Sequence, residues 1–182
     1  KDLKLKNYVI CYNFIGNIKP GNLRKSKKIF NLICTNRQIE GKFPINIIKA
    51  VSSLTQVRLT LVGNGNYHQK LRHYVRERKI GKRVKFIKNL ENQKYLKLLK
   101  NNHALILHSD YQEFGKSVIE AMSLKKPIII NKPRNSIQEL NDSYCLMNLN
   151  DKAGYKNSII QLITDNKLAN KLGRNGYKIY KN

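Results

Sequence analysis

The residues best suited to chemistry lie in the segment DYQEFGKSVIEAM, positions 110–122. Its Gly-Lys-Ser at 115–117 ends like a phosphate-binding P-loop, which requires the pattern Gly-x-x-x-x-Gly-Lys-Ser/Thr. Asp110 stands where the first glycine is needed, and the bulky, acidic interior Tyr-Gln-Glu-Phe would repel a phosphate. The segment therefore argues against a nucleotide-hydrolysing loop. Two interpretations are left: a helix N-terminus whose free N–H groups bind an anion, and an ordinary capped turn.

Two cations follow an earlier apolar run, in TNRQIEGK at 35–42. Arg37 and Lys42 are five residues apart and can reach one pyrophosphate, the arginine through two parallel hydrogen bonds and the lysine as a point charge. A Gly-x-Gly turn follows in LVGNGN at 61–66. This turn lacks the third glycine of the dinucleotide fingerprint, which argues against a dinucleotide cofactor.

Short apolar runs rich in β-branched residues alternate with segments of helical periodicity. The apolar runs predict strands at 7–15, 28–35, 57–63, 83–88, 103–109, 127–131 and 144–148. The periodic segments predict helices at 43–54, 67–79, 91–101, 115–125, 134–140, 151–164 and 166–180. Gly81 is predicted to cap the second of these helices.

This alternation predicts an α/β fold, a Rossmann-like doubly wound parallel sheet with helices on both faces. The strands are apolar on both faces, as a sheet covered by helices requires. Ligands of such folds bind at the carboxyl ends of the strands. The three candidate segments all follow predicted strands, so the fold is expected to bring them to the same edge of the sheet.

The composition favours a globular domain with an anionic partner. The chain has 182 residues, of which 41% are hydrophobic, enough for one domain with a core. Its 36 Lys and Arg against 11 Asp and Glu give a net charge of +25, which favours nucleic acid, acidic lipid or a phosphorylated substrate. A solvated basic surface is the alternative, because the cations are spread over the whole length. The low aromatic content of 8% and the lack of an RNA-binding motif argue against nucleic acid.

The cysteines and histidines show no metal-binding or disulfide pattern. The three cysteines are odd in number and far apart, without a Cys-x-x-Cys pair, which fits free thiols in a reducing compartment. The four histidines do not form a metal motif. No run of eighteen apolar residues exists, so nothing in this sequence predicts a membrane span.

The candidate segments occur in an order that resembles one family. The order is Arg-x4-Lys, Val-Gly-x-Gly, Phe-x3-Leu, Phe-Gly-x3-Ile-Glu-Ala-Met and Pro-Ile-Ile. It resembles the C-terminal, nucleotide-sugar-binding domain of group 1 (family four) retaining glycosyltransferases, which have the two-domain GT-B fold. The resemblance covers about residues 30–180, and the block at 113–130 is its most specific part.

The resemblance implies a role for three charged residues. Arg37 and Lys42 match the pair that binds the donor diphosphate in the family. Glu120 matches the second glutamate of the family's Glu-x7-Glu motif, which holds the ribose hydroxyls of the donor. The remaining matched positions that contact the donor are Gly63, Gly65, Ile87, Lys88, Leu90, Phe114, Gly115, Lys116 and Ser117.

The sequence departs from the family at the first glutamate of that motif, which falls on Gln112. Glu113 follows where glycine is usual. Gln112 can bond to sugar hydroxyls but carries no charge and cannot act as a base. Either Glu113 takes the role through a shifted loop, or the enzyme works without this charge, or its activity is impaired. The family is thought to use the donor's own phosphate as base, and this favours tolerance of the change.

The resemblance also implies a domain organisation and a function. Residues 1–182 are expected to form a single donor-binding domain, with 1–27 as a lead-in strand and linker. The acceptor-binding N-terminal domain is expected to lie outside this chain, which alone is expected to be inactive. The implied reaction transfers a hexose from a UDP- or GDP-linked donor to a glycan or lipid-linked acceptor with retention, in polysaccharide biosynthesis.

No metal or cofactor is expected, because the sequence has no Asp-x-Asp and cations take its place. The expected location is cytoplasmic, with peripheral contact between the basic surface and the anionic inner face of the cell membrane. Two alternatives differ in class. One is a non-catalytic sugar-nucleotide binder, and the other is a basic module that binds nucleic acid or an anionic surface.

Overall fold

Six parallel strands form one sheet in the computed structural model, which describes residues 29–111, 115–132 and 141–181. The strands are β1 (Phe30–Thr35), β2 (Val57–Val62), β3 (Val84–Ile87), β4 (Ala104–Leu107), β5 (Ile128–Asn131) and β6 (Cys145–Asn148). They lie in the order β3-β2-β1-β4-β5-β6, and every neighbouring pair is parallel. The predicted doubly wound parallel sheet is confirmed.

Six helices accompany these strands in the described residues. They are α1 (Ile45–Ser52), α2 (His68–Glu77), α3 (Asn92–Asn101), α4 (Lys116–Ser123), α5 (Lys152–Thr164) and α6 (Asn166–Lys181). Their ends and those of the strands lie within two residues of the predicted ones. The strand predicted at 7–15 and the helix predicted at 134–140 fall outside the described residues. No helix in the described ranges combines the length and apolarity that crossing a membrane requires.

Alternate strand residues enter two apolar cores, one on each face of the sheet. In β1, Leu32 and Cys34 lie in one core and Ile33 lies in the other. Helices α1, α2 and α5 supply the first core with Ile47, Ile48, Leu71, Val75, Tyr155, Ile159 and Leu162. Helices α3 and α4 supply the second with Tyr95, Leu99, Val118, Ala121 and Met122. Both faces of the strands are therefore covered, which explains their continuous apolar runs.

The end of α2 differs from the predicted cap at Gly81. Lys79 takes the left-handed conformation there, with φ of 53°. Its N–H donates to the carbonyl of Arg76, and the N–H of Ile80 donates to the carbonyl of Val75, which is a Schellman closure. The prediction of Gly81 as the cap was wrong because Ile80 has to follow the left-handed residue directly to reach the core, where it is buried.

The strand order changes direction between β1 and β4. Strand β1 pairs with β2 on one side and with β4 on the other. The chain leaves β1 toward α1 and leaves β4 toward α4, and these two helices contribute to opposite cores. The two exit loops therefore diverge, and a crevice opens at the carboxyl ends of the strands.

Candidate functional site

A cleft of about 500 Å³ occupies this crevice. The loop after β1, the loop before α3 and the start of α4 form its walls, and the ends of β2, β4 and β5 form its floor. The lining residues are Thr35, Asn36, Arg37, Lys42, Val62, Gly63, Lys88, Asn89, Leu90, Leu107, His108, Ser109, Gly115, Lys116, Ser117, Val118 and Ile130.

The structure brings most of the predicted site residues into this cleft. Those that line it are Arg37, Lys42, Gly63, Lys88, Leu90, Gly115, Lys116 and Ser117. Three others are close in sequence to lining residues without lining the cleft themselves: Gly65, Ile87 and Glu120. The last three predicted residues, Gln112, Glu113 and Phe114, lie outside the described residues.

The lining is strongly cationic. Arg37, Lys42, Lys88 and Lys116 contribute positive charge, and no Asp or Glu occurs among the described residues that line the cleft. Lys42 also lies 5.5 Å from the centre of the Tyr111 ring, which follows β4. A cleft with four cations and polar backbone groups is suited to a polyanion such as a diphosphate.

The N-terminus of α4 adds backbone donors to the same wall. Gly115 is its N-cap residue, in an extended conformation (φ −71°, ψ 147°), and no side chain of the described residues caps the helix. The first N–H groups of a helix have no intrahelical partner, and the helix dipole is positive at this end. Lys116 and Ser117, which begin α4, both line the cleft, so this helix start is suited to an anion.

Glu120 lies one turn into α4, with only 3% of its side chain exposed. Asn92, the first residue of α3, donates from Nδ2 to its Oε1 at 2.7 Å, and Lys116 Nζ is 4.0 Å from the same oxygen. Burial raises the pKa of the Glu120 carboxyl, while the Asn92 hydrogen bond and the Lys116 charge oppose that increase. The carboxylate is thus held in one orientation close to the cleft wall.

The two glycines of the Gly-x-Gly turn allow two loops to pack backbone against backbone. A Cβ on Gly63, whose φ is +139°, would lie 2.0 Å from the carbonyl oxygen of Asn36, and a Cβ on Gly65 would lie 2.3 Å from that of Gln38. Gln38 N–H donates to the carbonyl of Asn64, and the N–H of Tyr67 donates to that of Gln38. These glycines therefore fix the loop that carries Arg37, a role that was not predicted from the sequence.

Two asparagines hold the chain as it leaves β4. Asn36 Nδ2 donates to the carbonyl of His108 at 2.5 Å, and the N–H of His108 donates to Asn36 Oδ1 at 3.2 Å. Asn131, at the end of β5, forms the same pair of hydrogen bonds with the backbone of Ser109, both at 2.9 Å. The exits of β1, β4 and β5 are thereby joined through side-chain amides.

A buried tyrosine in α5 also contacts the end of β4. The hydroxyl of Tyr155, in α5, donates to the carbonyl of Leu107 at 2.9 Å and lies 3.5 Å from Nδ1 of His108. Burial raises the pKa of the Tyr155 hydroxyl, so it stays protonated. Burial also lowers the pKa of His108, against the opposing effects of Asp110 and Asn131.

Sequence reasoning missed Asn36, Asn131 and His108 as residues that shape the cleft. One signal was present: each stands at the point where a buried apolar strand ends. In a parallel sheet such polar residues lie at the same edge and can bond to neighbouring strand exits. Tyr155 offered no comparable signal, because its helix is distant in sequence.

The described residues hold no group of three His, Cys, Asp or Glu side chains that could bind a metal ion. The expectation that no metal takes part stays a prediction. Cys34 and Cys145 are buried free thiols, and Cys11 lies outside the described residues.

Solved structures of similar fold include several glycosyltransferases. Anabaena HepE, in complex with UDP and glucose, has a TM-score of 0.76 and 20% identity over 85% of this chain and 44% of its own. Sucrose-phosphate synthase from Thermosynechococcus elongatus has a TM-score of 0.72 and 23% identity over 84% of this chain and 41% of its own. The chain thus spans less than half the length of these two proteins.

A third structure matches along most of both chains. It is the C-terminal domain of a glycosyl transferase group 1 family protein, LpcC, from Francisella tularensis, with a TM-score of 0.72 and 18% identity. The match covers 89% of this chain and 86% of that one. These likenesses, all below 25% identity, show the fold. No curated protein matches the sequence.

The sequence itself also matches a family model, and that match includes all six described strands. The model describes glycosyl transferases group 1 and covers residues 12–179. The Rossmann-like fold and the cationic cleft at its switch point agree with this match. The chain therefore belongs to the group 1 glycosyltransferases.

Proposed function

We propose that this domain binds the nucleotide-sugar donor of a retaining glycosyltransferase that uses a UDP- or GDP-linked sugar. The observation that carries the proposal is the cleft lined by Arg37, Lys42, Lys88 and Lys116 without a described carboxylate. A nucleoside diphosphate is a polyanion that the four cations and the helix N-terminus would bind jointly. The HepE structures with UDP and with UDP-glucose support this choice of ligand class.

The groups that line the cleft or lie beside it each have a proposed contact. Arg37 and Lys42 bind the diphosphate, aided by the backbone N–H groups at 115–117. Residues 87–90 lie along the base, and Glu120 accepts from the ribose hydroxyls. The hydrogen bond from Asn92 and the burial of the Glu120 carboxylate keep it oriented for this contact.

In the proposed transfer, the bond between the sugar's anomeric carbon and the diphosphate breaks while a bond to the acceptor oxygen forms on the same face. The acceptor proton passes to the departing phosphate oxygen. Arg37 and Lys42 stabilise the charge that develops on the diphosphate, so the step needs no metal ion. The acceptor is a glycan or a lipid-linked glycan bound with the help of a further domain.

The direct test is calorimetric titration of the chain with UDP and GDP in the presence of EDTA. Arg37→Ala should weaken binding about tenfold or more, since a charged hydrogen bond contributes about 1.5–3 kcal/mol. Arg58→Ala is the matched control, because Arg58 is an exposed arginine on β2 outside the cleft. Equal affinities for the two variants would refute the assignment. If neither nucleotide binds while RNA binds with a steep salt dependence, the basic binding module is the correct function.

Gln112 supports a second candidate, a non-catalytic sugar-nucleotide binder, because it replaces a charged residue of the family motif. Release of UDP from UDP-glucose, measured with the whole enzyme and membrane-extracted acceptors, separates the two candidates. Sustained binding without release under these conditions would favour the binder. Restoration of release by Gln112→Glu would identify this position as the cause.

A basic stripe on α6 supports peripheral binding to an anionic membrane surface on the cytoplasmic side. Lys167, Lys171, Arg174, Lys178 and Lys181 follow each other at helical spacing and are exposed, and α6 contains no acidic residue. Each cation near an anionic bilayer contributes about 1 kcal/mol. Vesicle sedimentation should show a preference for anionic over neutral lipid, and charge reversal at 171, 174 and 178 should remove it. Charge reversal at 82, 85 and 97 is the control, and equal effects of the two triple variants would refute the stripe.

A further inference from the structure

A second hollow, of about 300 Å³, opens on the other side of the loop that carries Arg37 and Lys42. It lies above α1, α2 and α5, whereas the donor cleft extends toward α3 and α4. The residues that line it include two carboxylates, two asparagines and two aromatic residues: Glu40, Asp110, Asn46, Asn150, Phe43 and Tyr67. His108 lines both cavities, so they share a wall.

The walls of the hollow are held in place by contacts between distant segments. Asn46, in α1, donates from Nδ2 to the carbonyl of Asn150, just before α5, at 2.9 Å. The N–H of Asp110 donates to the carbonyl of Gly41 at 2.7 Å, which brings the exit of β4 against the loop after β1. The hollow is therefore built from preformed loops.

Its charge differs from that of the donor cleft. Two carboxylates, Glu40 and Asp110, and one lysine, Lys70, line the hollow in a chain with only 11 acidic residues, whereas the donor cleft has four cations and no carboxylate among its described residues. Carboxylates would repel a phosphate or a sugar acid. With the amides of Asn46 and Asn150 they offer acceptors and donors suited to hydroxyl groups.

An aromatic pair forms one side of the hollow. The rings of Phe43 and Tyr67 lie 4.7 Å apart at an angle of 36°. Lys70 Nζ lies 5.7 Å from the centre of the first ring and 5.8 Å from that of the second. Lys70 thus occupies the position from which a cationic ligand would contact these rings. The hollow is therefore better suited to a neutral ligand that has an apolar face and a face with hydroxyl groups.

We propose that this hollow binds one ring of a neutral, hydroxyl-rich sugar. The apolar face of the ring would lie against Phe43 and Tyr67, and its hydroxyls would bond to Glu40, Asp110 and Asn150. The volume is at the lower end of the about 300–1,000 Å³ typical of small-molecule sites, which fits one sugar ring. The assignment of the bound ring to the acceptor rests on the proposed function. The proposal that the hollow binds a sugar ring does not depend on that function.

The test is a two-dimensional NMR titration of the full chain with the methyl glycosides of glucose, galactose and N-acetylglucosamine, to millimolar concentration. We expect at least one to bind saturably and to shift the amides of Asn46 and Asn150. Glu40→Gln should weaken that binding about tenfold, because it removes a charged hydrogen-bond acceptor. Glu77→Gln is the matched control, since Glu77 is an exposed glutamate at the end of α2.

Three results would overturn the proposal: no neutral glycoside binds, glucuronic acid binds better than glucose, or Glu40→Gln leaves the sugar affinity unchanged. A parallel titration with UDP separates this proposal from that for the donor cleft. UDP binding without sugar binding refutes only the hollow. Sugar binding without UDP binding refutes only the donor assignment.

Discussion

Asn36 and His108, separated by 72 positions in sequence, exchange two hydrogen bonds at the point where the sheet changes direction. The paired residues of β1 and β4 end at Ile33 and Leu105, and the side-chain amide of Asn36 joins the two chains again three residues farther on. It holds the two strand exits together at the wall of the cleft, next to Arg37.

Replacement of this amide should therefore destabilise the protein. Asn36→Ala leaves the buried backbone N–H and C=O of His108 without these partners, and we expect the free energy of unfolding to fall by about 2–4 kcal/mol. Urea denaturation measures the change. Asn66→Ala is the matched control, because Asn66 is exposed, and it should stay within about 0.5 kcal/mol of the wild type. An equal cost for the two variants would contradict this role.

A side chain at Gly63 should disturb the same region. Gly63→Ala would place a Cβ 2.0 Å from the carbonyl oxygen of Asn36 at a φ of +139°, so the loop backbone has to move. We expect Tm to fall by at least about 3 °C and nucleotide affinity to fall with it. Gly81→Ala should melt like the wild type, since a Cβ at Gly81 meets no residue of the described ranges within 4 Å. Indistinguishable melting of the two variants would show that the loops are not closely packed.

A substitution at Gly115 should affect nucleotide binding more than it affects the stability of the protein. The φ of −71° at this position suits any residue, and a Cβ there meets none of the described residues within 4 Å, so Gly115→Ala should cost at most about 1 kcal/mol of stability, the usual difference between glycine and alanine at an N-cap. The added methyl group would nevertheless stand at the N-cap that lines the cleft, where it hinders approach of a phosphate to the backbone N–H groups. Calorimetry should show weaker UDP binding. Unchanged UDP affinity would place the phosphate elsewhere.

Glu120 should affect stability in a pH-dependent way. Burial raises its pKa above the usual 4.5, so the folded state binds this proton more tightly than the unfolded state. Its contribution to stability is therefore fully present below pH 4.5 and is lost as the pH rises through the raised value. Glu120→Gln does not titrate, so its stability relative to the wild type should increase from pH 4 to pH 7.

The same variant should lose nucleotide affinity at pH 7, by about tenfold, because a ribose hydroxyl loses a charged acceptor. Glu77→Gln is the control for both measurements, since Glu77 is exposed. Denaturant unfolding at several pH values, with UDP titration at pH 7, gives both readouts. A stability difference that does not vary with pH would mean that the carboxyl titrates normally in the folded protein.

The sequence by itself determined the strands and helices and the strand ends at which the cleft forms. Apolar runs and helical periodicity predicted all six described strands and six helices within two residues at their ends, because each depends on local spacing. Arg37, Lys42 and Lys116 were predicted as candidate site residues because they follow strands, and parallel strands bring such positions together, whereas Lys88 came from the resemblance to the family. The resemblance to the family added Glu120, which periodicity alone would not single out.

Only the tertiary structure decided which side chains hydrogen-bond to the strand ends that form the cleft. Asn36 with His108, Asn131 with Ser109 and Tyr155 with Leu107 are pairs separated by 72, 22 and 48 positions. The cap of α2 was mispredicted for a related reason: burial of Ile80 against distant strands outweighed the local preference for glycine. The second hollow likewise joins four separate segments of the chain. Such partners are chosen by packing between elements that are remote in sequence, and residue spacing carries no information on that choice.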